Sequence, residues 1–207
     1  MAVSSLTNFT VPLGGNQSSS VQGLLMPKLQ FRFRAYFEKF GAPGSATTEL
    51  TKQLMSFARP QVQMEPISIP IYNSMVYIAG RPTWQTSQVV LRDDAGGNVS
   101  RIVGEQLQKQ FDFMEQASSS SAIDYKFTAT IEMLDGANGT IAPTILETWQ
   151  LYGCFLSDVN YGDASYANNE AMTITMAIRY DNAIQTVGAG VGAPGITQFN
   201  PKNAVTG

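Results

Sequence analysis

Histidine is absent from the 207-residue chain, and cysteine occurs once. The first absence excludes Ser-His-Asp and Cys-His catalysis, histidine-ligated zinc and a histidine pH switch. The second excludes an intrachain disulfide and any paired-cysteine metal knuckle. The single Cys154 lies in the apolar run Leu151-Tyr-Gly-Cys-Phe-Leu156, the setting of a small buried hydrophobe rather than of a nucleophile. Charge is scarce as well. Only 14% of residues are Asp, Glu, Lys or Arg, against about 25% in ordinary soluble domains. The formal net charge of −3 is the wrong balance for a dedicated nucleic-acid binder, which needs excess Lys and Arg to displace counterions. No stretch reaches the roughly 18 apolar residues of a membrane span. The opening Met1-Ala-Val-Ser-Ser-Leu-Thr7 has neither the basic flank nor the apolar run of a signal peptide. These absences predict a soluble protein of a reducing compartment, without cofactor, metal or enzymatic activity.

What remains is a chain with 43% hydrophobic residues and 18 glycines, long enough to remove roughly 70% of its extended surface from water. Composition marks three zones. Residues 1–25 are rich in Ser, Gly, Asn and Gln, and residues 186–207 carry Val187-Gly-Ala-Gly-Val-Gly-Ala-Pro-Gly195; both read as flexible arms. Residues 26–185 are patterned throughout and read as one domain. Period-two alternation dominates there, as expected of half-buried antiparallel strands. From Lys28 to Glu38, Leu29, Phe31, Phe33, Ala35 and Phe37 share one face, and Arg32 and Arg34 the other. From Ile123 to Met133 the apolar face stands against Asp124, Lys126, Thr128, Thr130 and Glu132; from Met172 to Tyr180 it stands against Thr173, Thr175 and Arg179. Weaker strands are expected at 61–65, 67–72, 76–79, 83–93 and 145–159.

One segment changes period. Val99, Ile102, Val103, Leu107, Phe111 and Met114 are three and four apart, which predicts an amphipathic helix over about 98–116 with Asn98 as N-cap. A second short helix competes for 48–57. The fold class is therefore mainly β, an antiparallel β-sandwich or partial barrel with one amphipathic helix. The string Gly190-Val-Gly-Ala-Pro-Gly195 fits a dinucleotide fingerprint only as letters, since Pro194 and a polar end follow where a helix is needed. Asp93-Asp94 before Gly96-Gly97 lacks the spacing of a calcium loop and reads as a turn. Arg32 and Arg34, two apart on one strand face, suit ion pairing with a neighbour's carboxylates better than phosphate binding.

An ordered set of segments then resembles a family. Met26-Pro-Lys-Leu-Gln-Phe-Arg-Phe33, Phe57-Ala-Arg-Pro60 and Val76-Tyr-Ile-Ala-Gly-Arg81 come first, followed by Trp84 and a strand ending Val89-Val-Leu-Arg-Asp-Asp94. The helix at 101–113 and the strand Ala171–Asp181 complete the set. Together they resemble the tail tube proteins of contractile-tailed bacteriophages of the T4 type. The resemblance implies a β-sandwich that self-assembles into stacked hexameric rings, the inner tube of a virion tail through which DNA is ejected. It implies partners: copies of itself, the tail sheath protein, the baseplate, the tail-terminator protein and the tape-measure protein, with transient passage of DNA and no stable membrane association. It also implies assembly in the host cytoplasm and residence in the phage tail. The same fold class serves type VI secretion tubes, contractile bacteriocins and baseplate tube initiators, which remain alternatives. In a tube, DNA has to slide without being held by counterion release. That makes the faces carrying Asp124, Thr128, Thr130, Glu132, Thr173 and Thr175 the candidate lumen face. It assigns Arg32 and Arg34 to contacts between subunits, on a face separate from the Thr-rich ones.

Overall fold

The computed structural model describes residues 27–45, 47–136, 142–167, 169–187 and 191–192. Most of both expected arms, 1–25 and 186–207, lies outside the described residues. The chain divides into two units, Met1–Arg32 and Phe33–Gly207. In the first, residues 29–32 form a turn closed by the Arg32 N–H donating to Leu29 O at 3.2 Å. The Arg32 guanidinium rests over the Phe31 ring, 5.4 Å from its centroid. The expected first strand accordingly begins at Phe33, not Lys28.

The second unit runs β1 (Phe33–Glu38), α1 (Thr48–Lys52), β2 (Leu54–Phe57), β3 (Val62–Ile71), β4 (Ser74–Trp84), β5 (Ser87–Arg92) and α2 (Asn98–Gln110). It continues through β6 (Phe111–Asp112), β7 (Ala117–Ser118), α3 (Ala122–Tyr125), β8 (Phe127–Leu134), β9 (Ile145–Asn160), β10 (Thr173–Arg179) and β11 (Asn182–Val187). Seven strands make one bent antiparallel sheet in the order β1-β8-β9-β10-β5-β2, with β11 alongside β9. The 16-residue β9 serves both halves of this sheet. Its first half lies between β8 and β11, and its second half pairs with β10. The turn between the halves is made at Gly153, whose φ of 67° is open to glycine at little cost. A Cβ at this position would strike the Asp181 carboxylate.

Bending brings the apolar faces together. Ala35, Phe37, Phe127, Ala129 and Ile131 meet Val89, Leu91, Ile174, Met176 and Ile178 in one buried cluster. Phe37 of β1 stacks on Phe57 of β2 at 6.1 Å, joining the two ends of the strand order through side chains. The architecture is mainly β and antiparallel, as alternation requires, and α2 closes one side of the core with Val99, Ile102 and Val103.

α2 is fastened by polar groups too. Gln106, fully buried, accepts from the Gly41 N–H at 3.0 Å and donates to Tyr125 O at 2.7 Å. One turn on, Gln110 donates to Leu156 O at 2.9 Å and accepts from the Leu156 N–H at 2.8 Å. Pairing of β8 with β9 reaches only as far as Phe127 opposite Cys154. The Gln110 amide therefore takes the place of a neighbouring strand at Leu156.

Local chemistry shortens two expected elements. The helix stops at Gln110, not 116, because the Asp112 carboxylate accepts the N–H groups of Met114 (2.9 Å) and Glu115 (3.3 Å). This folds residues 112–115 into a side-chain-bonded turn that outcompetes helical continuation. The helix start shifts similarly. Gly97, in the left-handed region, is the N-cap, and the capping carboxylate is Asp94, accepting the Val99 N–H at 3.0 Å and the Asn98 amide at 2.9 Å. These bonds hold the Asp94 carboxyl below its ordinary range. The strand expected from Ile123 begins at Phe127 instead. Ser121 caps α3 by accepting the Ile123 N–H at 3.3 Å, so Asp124 sits on a helical turn away from the face of Thr128, Thr130 and Glu132.

Candidate assembly surfaces

The β3–β4 hairpin is the largest feature the core does not use. Residues 66–80, Pro-Ile-Ser-Ile-Pro-Ile-Tyr-Asn-Ser-Met-Val-Tyr-Ile-Ala-Gly, contain no charged side chain. Register sets Ile67 opposite Ile78, Ile69 opposite Val76 and Ile71 opposite Ser74, so five β-branched aliphatics share one face. They are 40–55% exposed. The reverse face carries Pro66, Ser68, Pro70, Met75, Tyr77 and Ala79 by the same register. Prolines within this two-stranded ribbon are tolerated because, among the described residues, each strand has an edge without a partner strand. A bulge at Glu65 presses its carbonyl against Gly80, where any Cβ would collide with it. The hairpin base is anchored by Trp84 packing on Tyr180 at 5.8 Å and by the Gln85 N–H donating to Gln61 O at 2.9 Å. An isolated two-stranded ribbon is marginal in water, and this one presents apolar surface on both faces.

The second surface is the outer side of β1, β8, β9 and β11. Arg34 lies opposite Glu132 and Tyr36 opposite Thr130; Thr130 and Glu132 lie opposite Gln150 and Thr148 in turn. The polar face of β1 and the Thr-rich face of β8 are therefore one face, not two. The buried Glu132 receives Arg34 Nε and, at 3.5 Å, the Tyr36 hydroxyl. The carboxylate that holds Arg34 belongs to the same chain. Thr130 and Thr148 are buried beneath the half-buried Tyr36 and Gln150 and the exposed Tyr152. Thr173 and Thr175 are half-buried on β10, opposite Arg92 and Val90 of β5, in the other half of the sheet from β8. Arg32 belongs to the first unit. The proposed lumen and contact residues are thus dispersed over α3, two parts of the sheet and the turn preceding it.

The free edges of this region matter for association. Among the described residues, no strand pairs with the outer edge of β1, and the outer edge of β11 meets a turn, with the Gln185 N–H donating to Val191 O at 2.8 Å. Such edges are templates for pairing with another chain. Among the described residues, no group of metal-ligating side chains is present. Burial pushes the Cys154 thiol up to about 12, which leaves it protonated at neutral pH.

Alternation marks strands at 67–72 and 76–79 but gives them no role. The signal was present as a 15-residue stretch without charge. β11 was not expected either, because its residues adjoin the glycine-rich end.

No protein-family model and no curated relative matches the chain. Solved structures share its fold. A chain of the anti-feeding prophage tube-terminating cap aligns over 84% of this chain and 99% of its own, with a TM-score of 0.59 at 11% identity. A chain of the six-fold symmetrised anti-feeding prophage baseplate aligns over 79% of this chain and 98% of its own, with a TM-score of 0.56 at 15% identity. A chain of the sheath–tube complex of an extracellular contractile injection system aligns over 78% and 93%, with a TM-score of 0.54 at 13% identity. The chain has a fold found in chains of these three assemblies.

Proposed function

We propose that the chain is a structural tube subunit of a contractile injection apparatus, assembling with copies of itself into stacked hexameric rings. The observation that carries this reading is the pair of association surfaces on one fold: the charge-free hairpin and the sheet half flanked by the unpaired edge of β1. Edge completion between copies satisfies backbone groups that a monomer leaves to water, and hairpin burial removes apolar surface between rings. The six-fold symmetry of a baseplate containing this fold supports the ring number.

In this reading the polar face of β1, β8 and β9 forms the channel wall. Its Arg34 and Glu132 charges cancel within the subunit, Glu38 opposite Thr128 adds an exposed carboxylate, and hydroxyl and amide groups supply the rest, so the wall offers DNA no phosphate trap. The finer assignment is the tail tube of a T4-type phage virion, inside a sheath and between baseplate and terminator, with a tape-measure protein within. A second reading, a tube subunit of an extracellular injection system, is favoured by the fold shared with a chain of the sheath–tube complex of one such system. The neighbouring genes separate these readings: structural phage genes around this one support the first, and their absence supports the second.

Sedimentation velocity across a concentration series tests the assembly. Discrete large species that grow with concentration are expected. The double variant Ile69→Asp/Ile78→Asp should remain folded and stop at single rings or below. Unchanged stacking by that variant would remove the hairpin from the mechanism.

A further inference from the structure

A groove of about 450 Å³ lies between the end of α2 and the second half of β9. Gln110, Phe111, Ser118, Tyr125, Phe155 and Leu156 line it, and among the described residues no charged side chain does. Tyr125 and Phe155 meet edge-on at 6.5 Å in its wall. Beside it the β6–β7 turn lifts Phe113 and Met114 into solvent, 60% and 91% exposed. The end of α2 is tied to β9 across this wall, because the Gln110 amide bonds both the carbonyl and the N–H of Leu156.

The tip of the β3–β4 hairpin has matching chemistry. Tyr72 occupies the two-residue turn with φ of 46° and is 98% exposed. A bulky residue at positive φ is an outlier, and an aromatic held there against backbone preference points to a use for the side chain. Tyr72 and the five aliphatics behind it present roughly 600 Å² of uncharged surface, close to the ~800 Å² that one partner gives a stable interface.

Resting on the assembly reading above, we propose that the hairpin tip, led by Tyr72, docks into this aromatic groove of a second copy of the chain. Both surfaces are free of charge, so neither has to desolvate an ion on contact. The groove walls give the Tyr72 ring apolar neighbours, while Ser118 and the Gln110 amide are the polar groups near its hydroxyl. Hairpin and groove are different surfaces of one chain. The contact is therefore heterologous, the kind that runs from one copy to the next and does not end at a pair; a stacked tube requires contacts of this kind.

Cysteine pairing tests the contact in the full-length chain, because the native Cys154 is buried and unreactive. Chains carrying Tyr72→Cys and chains carrying Ser118→Cys are mixed under assembly conditions and oxidised. A mixed disulfide that outnumbers pairing within either population is the expected product. In parallel, Ser118→Glu, an exposed change, is expected to leave the melting temperature unaltered and to raise the half-assembly concentration by at least about tenfold. Ser118→Glu chains that assemble like the parent, with no mixed disulfide, would overturn the groove as receptor. If Ile69→Asp/Ile78→Asp still blocks stacking, that result leaves the assembly reading in place. Tyr72→Cys chains that pair chiefly with each other would replace the groove by a hairpin-to-hairpin contact. A parent chain that never assembles would overturn the assembly reading itself, and this proposal with it.

Discussion

Replacing Gln106 by leucine tests how α2 is fixed to the sheet. The two side chains are similar in volume, and position 106 is fully buried, so packing is nearly conserved. What changes is the fate of two backbone groups. The Gly41 N–H loses its acceptor at 3.0 Å and the Tyr125 carbonyl its donor at 2.7 Å. An orphaned buried polar group costs about 1–3 kcal/mol; the buried Gly41 N–H bears this in full and the half-buried Tyr125 carbonyl somewhat less, so the pair costs about 2–5 kcal/mol. Extra apolar burial of the leucine returns about 1–2 kcal/mol. The net loss is about 0–4 kcal/mol, centred on about 2 kcal/mol, and that central value lowers the melting temperature of a chain of this size by roughly 4–8 °C. Differential scanning calorimetry of subunits below their assembly concentration measures it, with Gln108→Leu as the control. Gln108 is exposed and bonds Asp112 rather than the backbone, so its loss should shift melting by less than about 2 °C. A Gln106→Leu subunit that melts at or above the parent temperature would refute the claim that side-chain amides hold the helix.

Further outcomes follow from single sites. Gly153→Ala forces a Cβ into the Asp181 carboxylate at φ 67° and should lower stability by at least about 1–3 kcal/mol in urea titration; a neutral effect would mean β9 bends elsewhere. Arg34→Ala leaves the buried Glu132 with the Tyr36 hydroxyl at 3.5 Å. It should cost about 1–3 kcal/mol, less than a fully buried pair because Arg34 is half-exposed. Asp94, Glu105 and Asp112 all have carboxyls lowered by hydrogen bonds, chiefly from the Val99 N–H, the Ser45 hydroxyl and the Glu115 N–H respectively. Groups lowered in the folded state stabilise it above their unfolded range near pH 4 and cease to as pH falls through their folded values. Melting temperature should therefore drop on acidification below about pH 4, and Asp94→Asn should flatten that drop. A melting temperature independent of pH from 5 to about 2.5 would contradict these assignments.

The strand faces were legible because alternation is a local signal with a fixed period. Ala35 and Phe37, Ala129 and Ile131, and Ile174 and Met176 all point into the core as written. Boundaries were less legible, and in each case a side chain bonding to nearby backbone decided the outcome. Asp112 ended α2, Asp94 displaced Asn98 as the cap, and Ser121 started α3 where alternation continued through Ile123. Periodicity has no access to such bonds. The buried Gln106 was missed because glutamine in a helix reads as a solvated residue, and its partners are 65 and 19 positions away in sequence. Alternation gives faces but not which strands lie side by side. The joining of Arg34 to Glu132 across β1 and β8 therefore waited for the register, and with it the merging of two faces treated as separate. The hairpin was partly visible as short strands, but its exposure follows from tertiary placement alone.

The central claim is self-assembly through these surfaces, and electron microscopy of the purified full-length chain tests it most directly. Negative-stain images taken across salt and concentration should show rings that stack into tubes, and class averages viewed end-on should show six subunits around an open channel. Particles that stay monomeric at high concentration in every salt condition, or closed assemblies without a channel, would contradict it.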